Sequence, residues 1–312
     1  MNTKFVKVLT AVCAVAALTG CSDASAKLKD KNTALIKIGN KTITKGDVFS
    51  SMEAMTGADT AINDAMNTIS SKEVEVTEDI KKQAKDTLKT YKSMYGDTFS
   101  TYLESTGMSE EDYMNEYLIP SLLAEQLNYK YVDEKWDDLV KMYKPVKATV
   151  LQFGSADDAN AALSELKGGT ADTAKIAKAH NSTTEPKSKI YTNQSTDLDS
   201  MVRAALTSLT PDDGWTFATG SDGASFYALH VDDTDAENFR KDLTETFVNT
   251  KNVQNDAKTF YFKKYGFHIY DITIYNSVSE KYPDYLVQDM EPEASAEPET
   301  TDTPVETEDS AK

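Results

Sequence analysis

Val146-Lys147-Ala148-Thr149-Val150-Leu151-Gln152-Phe153 is the stretch on which the fold turns. It is rich in β-branched and apolar residues and lies between Lys144-Pro145 and Gly154-Ser155, so it reads as a strand. Upstream of it, apolar residues recur mainly at helical spacing; downstream, strand and helix patterns mix. Ser155 caps a helix over Ala156 to Leu166, which Gly168-Gly169 ends. Thr170 to Ala179 reads as a second helix, 181–197 as a polar loop, and Leu198 to Leu209 as a third helix stopped before Pro211. Asp212-Asp213-Gly214 turns the chain. Trp215-Thr216-Phe217 and Phe226 to Val231 are two further strands, joined through Gly220-Ser221-Asp222-Gly223. The order strand, three helices, two strands predicts an α+β unit over 146–233.

Toward the N-terminus, Ala34-Leu35-Ile36-Lys37-Ile38 alternates, Gly39-Asn40 turns, and Lys41-Thr42-Ile43-Thr44 extends again. Thr44 with Asp47 three residues on predicts a capped helix from Lys45 to about Met55, and 56–76 reads as helix interrupted by loops. Thr77-Glu78-Asp79 opens another helix with acids in its first turn, which Gly96 ends. Phe99, Tyr102 and Leu103 lie on a short helix that stops near Gly107. Ser109-Glu110-Glu111-Asp112 starts the next, in which Pro120 predicts a kink or break, and Asp133 to Met142 forms one more. Toward the C-terminus, Ala236 to Tyr265 is the longest helical pattern, with Gly266 at its end. Phe267 to Tyr275 alternates and reads as a strand. Residues 291–312 hold eight acids and one base with almost no apolar side chain, so an acidic disordered tail is expected over 277–312.

The first twenty residues assign a compartment. Lys4 and Lys7 form a positive start, Val8 to Leu18 is an apolar run too short for a lasting span, and Leu18-Thr19-Gly20-Cys21 resembles a bacterial lipobox. Residues 1–20 are therefore expected to be a lipoprotein signal peptide, Cys21 the acylated residue, and 21–33 a polar tether. Of the two Cys, only Cys21 survives cleavage, so no disulfide is expected. A net charge of −18 over 312 residues argues against nucleic acid and against simple electrostatic docking of the whole chain on anionic lipid. Three His without a Cys or Gly-x-Ser-x-Gly partner, and no glycine-rich phosphate loop, leave no sign of a metal, a cofactor or a catalytic triad.

The order of these elements resembles the PrsA-type extracytoplasmic foldase lipoproteins, relatives of the chaperone SurA. The stretches that carry the likeness are Ile36-Lys37-Ile38-Gly39-Asn40-Lys41-Thr42-Ile43-Thr44-Lys45, Gly107-Met108-Ser109-Glu110-Glu111-Asp112, Val146-Lys147-Ala148-Thr149, Leu166-Lys167-Gly168-Gly169 and Ile176-Ala177. The resemblance implies a mostly helical chaperone domain built from 34–145 and 234–276, with a parvulin-like prolyl isomerase domain inserted at 146–233. It also implies that the strands at 34–38 and 267–275 belong to one module. Parvulins hold the prolyl peptide between two His; here Val150 and Tyr227 stand at those positions, and His230 aligns elsewhere. Leu198, Val202 and Phe226 are the candidates for a prolyl pocket. A two-His network cannot be built from Val and Tyr, yet isomerisation needs no covalent step, so an atypical active isomerase is the alternative to a degenerate one.

The function expected is a membrane-anchored chaperone for exported proteins on the extracytoplasmic face of a bacterial membrane. Its partners would be partly folded polypeptides and, through Cys21, the bilayer; the resemblance leaves a homodimer open. Tyr91, Tyr95, Phe99, Tyr102, Tyr113 and Tyr117 fall at helical spacings and suit either core packing or promiscuous contact with clients. A solute-binding lipoprotein is the third reading, and it lacks the repeated βα alternation such lobes need.

Overall fold

In the computed structural model, residues 28–169 and 172–288 are described. The expected signal peptide, Cys21 and the acidic stretch from 289 onward lie outside them. The chain opens with strands β1 (Ala34–Ile38) and β2 (Lys41–Thr44), then helix α1 (Lys45–Met52), a π-turn over Glu53–Gly57 and helix α2 (Ala58–Glu73). Helices α3 (Glu78–Tyr95), α4 (Asp97–Thr106) and α5 (Glu110–Tyr113) follow, then a second π-turn over Met114–Leu118, α6 (Ile119–Glu134) and α7 (Trp136–Tyr143). Next come β3 (Val146–Phe153), α8 (Ala156–Lys167), α9 (Thr173–Ala179), β4 (Ser188–Tyr191), α10 (Ser200–Leu206), β5 (Thr216–Thr219) and β6 (Phe226–Asp233). Helices α11 (Arg240–Val248), α12 (Lys251–Tyr265) and α13 (Ile272–Lys281) complete it. The class is α+β, and the chain falls into two compact units, 1–63 with 266–312 and 64–265.

In the first unit, β1 and β2 form an antiparallel hairpin with Ile36 opposite Ile43 and Ile38 opposite Lys41, turning at Gly39 with φ +59°. Thr44 and Asp47 make a reciprocal capping box at α1, with the Thr44 N–H donating to Asp47 Oδ2 at 2.7 Å. Of the strand expected at 267–275, residues 267–271 have no regular secondary structure and 272–275 form the start of α13. Asp271 Oδ1 accepts from the N–H groups of Thr273 (2.8 Å) and Ile274 (3.0 Å), and Ile274 and the fully buried Val278 lie one turn apart. Over nine residues an apolar alternation fits either period; the Asp271 cap selects the helix. The N- and C-terminal pieces meet where Tyr282 donates to Asp59 Oδ1 at 2.5 Å and Lys281 reaches Asp59 Oδ2 at 3.4 Å. A Cβ on Gly57 would sit 3.2 Å from Ile274 Cγ1, so the π-turn approaches α13 closely. Residues 277–285, placed in the acidic tail by the sequence reading, instead continue α13 to Lys281 and bury Tyr285.

In the second unit, a four-stranded antiparallel sheet has the order β4-β3-β6-β5. Strand alternation gives it two apolar faces. Val146, Ala148, Val150, Tyr227, Leu229 and Val231 pack on α10 through Val202 and Leu206. Leu151, Phe153 and Ala228 pack on α8 and α9 through Ala159, Leu163 and Ile176. Each fully buried Leu or Val here contributes about 2 kcal/mol of transfer free energy. Strand β4 lies in the segment read as a loop. Ser-Lys-Ile-Tyr is only four residues long within a polar stretch, too short for its alternation to stand out, and its pairing to β3 along the sheet edge makes it a strand.

Three helix boundaries also differ from expectation. Residues 58–73 form one uninterrupted helix. The long pattern at 236–265 breaks at Asn249-Thr250, where Asn249 Nδ2 donates to the Glu245 carbonyl and Gln254 Nε2 to the Val248 carbonyl, both at 2.8 Å. Pro120 sits in the first turn of α6, and the adjustment occurs upstream of it, where the Ile119 N–H reaches back to the Met114 carbonyl.

The compact division falls at 63/64 and 265/266, whereas the resemblance implies cuts at 145/146 and 233/234. Contacts inside the second unit explain why. Phe247 of α11 meets Tyr143 (5.4 Å) and Trp136 (6.0 Å) of α7. Asn193, just past β4, donates its N–H to the Tyr143 carbonyl and Nδ2 to the Met142 carbonyl. A carboxylate joins the helices: Glu73 Oε2 lies 2.5 Å from Lys130 Nζ, and its Oε1 lies 2.5 Å from Lys264 Nζ and 2.9 Å from the Tyr265 hydroxyl. The side chain of Glu73 is 7% exposed. Hydrogen bonds from the two ammonium groups, with a smaller one from Tyr265, hold its pKa down at about 2 against the opposing effect of burial.

Candidate functional site

The six aromatic residues singled out in the sequence come together in the second unit. Tyr91 and Tyr95 lie one turn apart on α3. Gly96, at φ +50°, ends that helix and redirects the chain into α4, which carries Phe99 and Tyr102. Gly107 at φ +69° then turns the chain toward α5, and Ser109 and Asp112 form a capping box that starts it. Tyr113 ends α5 and Tyr117 lies in the π-turn.

Tyr113 is the hub. Its ring centroid lies 5.1 Å from Phe99, 6.2 Å from Tyr102 and 6.5 Å from Tyr91, all edge-on, and 5.3 Å from Tyr117 in a stacked pair. Tyr91 adds Tyr95 at 6.0 Å and Phe99 at 6.4 Å. Such pairs contribute about 0.5–1.5 kcal/mol each beyond the area they bury. Phe99 is buried and Tyr91 and Tyr113 are half-buried, so these three anchor the group. Tyr95, Tyr102 and Tyr117 are 53%, 43% and 46% exposed, and Met94 beside them is 66% exposed. Burial, and then the neighbouring phenols, push the Tyr113 hydroxyl above its ordinary pKa. Lys92 and Glu110, 2.6 Å apart, bridge α3 to α5 and add a charged pair to the surface. The arrangement is a rigid aromatic base with an exposed, amphipathic rim.

The residues assigned to the isomerase positions have a different setting. Val150, Tyr227, Leu198 and Val202 do come together, but inside the core between the sheet and α10, where none is more than 9% exposed. Burial pushes the Tyr227 phenol up and that of neighbouring Tyr191 up to about 12, so neither ionises near neutral pH. Phe226 does not join them; it lies on the opposite face of the sheet with Trp215 and Phe217. His230 is on that opposite face too, with Nδ1 2.8 Å from Asp232 Oδ1 and its ring 5.1 Å from Trp215. His180 pairs with Glu165 at 2.9 Å, and His268 stacks on Tyr270 at 4.5 Å. A cleft lined by Asp133, Glu134, Lys135, Trp136, Asp137, Asp138 and Arg240 is polar, and Arg240 is already held by Asp133, Glu237 and the Trp136 face.

Sequence periodicity found the aromatic residues but not their hub, because Tyr113 meets rings from α3, α4 and the π-turn. It missed the π-turn, which has no compositional signal. It also missed the Glu73 cluster, whose partners lie 57 and about 190 residues away.

The fold is that of a mostly helical α+β chain with small antiparallel sheets. The chain is 28% identical over 284 residues to the foldase protein PrsA of Streptococcus mutans, covering 84% of this chain and 83% of the relative. It is 28% identical over 211 residues to PrsA 2 of Streptococcus pyogenes serotype M1, covering 64% and 66%. Among solved structures, PrsA of Bacillus cereus is similar at a TM-score of 0.48 and 17% identity, covering 80% of this chain and 98% of that one. PrsA of Streptococcus pneumoniae is similar at 0.40 and 19%, covering 80% and 99%. No family model matches the chain. The similarity to the Streptococcus mutans foldase protein thus extends over most of both chains.

Proposed function

We propose that this protein is an extracytoplasmic chaperone of exported proteins, tethered to the membrane through Cys21, which binds partly folded clients and is not an effective prolyl isomerase. The observation that carries it is the aromatic surface centred on Tyr113. A chaperone needs apolar area that stays accessible yet does not collapse, and an anchored layer of rings with a hydroxylated rim supplies both. Tyr supplies contact area at low entropic cost, and flexible Met adapts to many partner shapes. The relatives named as foldases support the same reading, and their similarity extends over most of this chain. In this proposal 146–233 is a parvulin-like unit without catalysis, because the positions that would touch a prolyl peptide are filled by Val150 and Tyr227 and closed under α10.

The test is an aggregation assay on a reduced, unfolded client with stoichiometric protein. The wild-type chain is expected to suppress light scattering. Tyr95→Ser/Tyr102→Ser/Tyr117→Ser should lose most of that suppression; it removes three ring pairs at about 0.5–1.5 kcal/mol each, so the assay is run where circular dichroism shows the variant folded. Equal suppression by the triple variant would remove the site. In a proline-limited refolding assay, substoichiometric amounts of the chain should leave the slow phase unaccelerated. Catalytic turnover abolished by Tyr227→Ala would overturn the inactive reading.

A further inference from the structure

The first unit presents a second surface, and it differs in charge from the rest of the molecule. Residues 28–46 carry five lysines, Lys29, Lys31, Lys37, Lys41 and Lys45, against the single Asp30, in a chain whose net charge is −18. All five residues of β1 are exposed, including Leu35 at 54%, Ile36 at 49% and Ile38 at 64%. Among the described residues no third strand pairs with this hairpin. Register places Ile36, Ile38, Lys41 and Ile43 along one face and Lys37 with Thr42 on the other. The helix that follows directly exposes Phe49 and Met52 as well.

We propose that the β1/β2 hairpin with its flanking lysines is a docking surface for an anionic lipid bilayer, acting independently of any acyl chain. Exposed aliphatic side chains among lysines match an interface whose acyl boundary takes the apolar groups while its headgroups pair with ammonium ions. Lysine stems reach along apolar surface and keep the charge at headgroup level. The overall negative charge does not forbid this. Screening confines electrostatics to about 8 Å at physiological salt, and a five-residue strand is about 17 Å long, so the local charge governs contact. The surface goes beyond the client-binding reading, which uses residues of the other unit.

Full-length protein carrying Cys21→Ser, so that no acyl chain is attached, is mixed with vesicles of equal phosphatidylglycerol and phosphatidylcholine or of phosphatidylcholine alone, and the bound fraction is read by flotation. Each lysine at an anionic surface is worth about fivefold in partition, so Lys41→Glu, on the face of Ile36 and Ile38, should weaken binding to the anionic vesicles at least about fivefold. Ile36→Ser/Ile38→Ser should weaken it too, and raising salt should release the parent far more than the charge-reversed variant. All variants share the residues upstream of 28, so differences between them report the hairpin; unchanged thermal unfolding shows that each still folds. Equal binding of parent and charge-reversed protein, or equal binding to both vesicle types, would overturn the proposal. So would loss of self-association or of client capture in Ile36→Ser/Ile38→Ser with vesicle binding unchanged, because the hairpin would then serve a protein partner.

Discussion

Glu73 is the single residue with the most at stake. Its carboxylate is nearly buried and is neutralised by Lys130 and Lys264, whose own side chains remain about 40% in solvent. Glu73→Gln should therefore cost about 2 kcal/mol, the scale of lost hydrogen bonds to a charged group, rather than the larger penalty of stranding a fully buried ion. Urea unfolding at pH 7 measures it. The sign of the pH dependence follows from the lowered pKa. In the folded state the group titrates at about 2, against 4.5 for the free side chain. Its stabilisation is thus fully present above about 4.5 and is lost as pH falls from there toward 2. Glu73→Gln should flatten that acid limb. At the other extreme, the raised pKa of Tyr113 means the folded state holds its proton longer, so stability declines as pH rises past about 10. Tyr113→Phe should reduce that alkaline loss while leaving the neutral-pH fold intact, as read by circular dichroism against pH.

At the scale of elements, the caps decide where the aromatic surface forms. Ser109 accepts from the Asp112 N–H at 3.1 Å, and Asp112 Oδ2 accepts from the Ser109 N–H at 3.0 Å. Ser109→Ala should cost about 1 kcal/mol and lower client suppression with it, because α5 positions Tyr113. Asp271→Ala should cost a similar amount and fray α13 at its start, seen as faster amide exchange over 273–276. The π-turn at Met114–Leu118 is the less familiar device. It places Tyr117 in a stacked pair with Tyr113 and lets Pro120 enter α6 in the first turn, where its missing N–H does least harm.

At the scale of the molecule, one chain carries two surfaces of opposite character on different compact units. One is an aromatic surface within 91–117; the other is a lysine-rich hairpin at 28–46. If the first holds clients and the second meets lipid, a protein with a strongly negative overall charge can sit at an anionic surface while keeping loaded complexes apart by repulsion. A charge-reversed hairpin should then leave aggregation suppression in solution unchanged, and the aromatic triple variant should leave vesicle binding unchanged; the two assays check each other.

The sequence by itself determined the α+β class, the strands at 34–44, 146–153 and 226–231, the capped starts at Thr77, Ser109 and Ser155, and the set of aromatic residues. Each rests on neighbours within a few positions, where periodicity, caps and turn residues act directly on the backbone. Tertiary structure alone decided that 267–271 pair with no strand and 272–275 begin a helix, that Ser188–Tyr191 becomes an edge strand, that Val150 and Tyr227 are closed in a core while Phe226 lies behind the sheet, and that Glu73 joins Lys130 and Lys264. Those outcomes depend on partners tens to hundreds of residues away. Burial and pairing with such partners outweigh the weak local preferences of short segments, and no local pattern records which partner arrives.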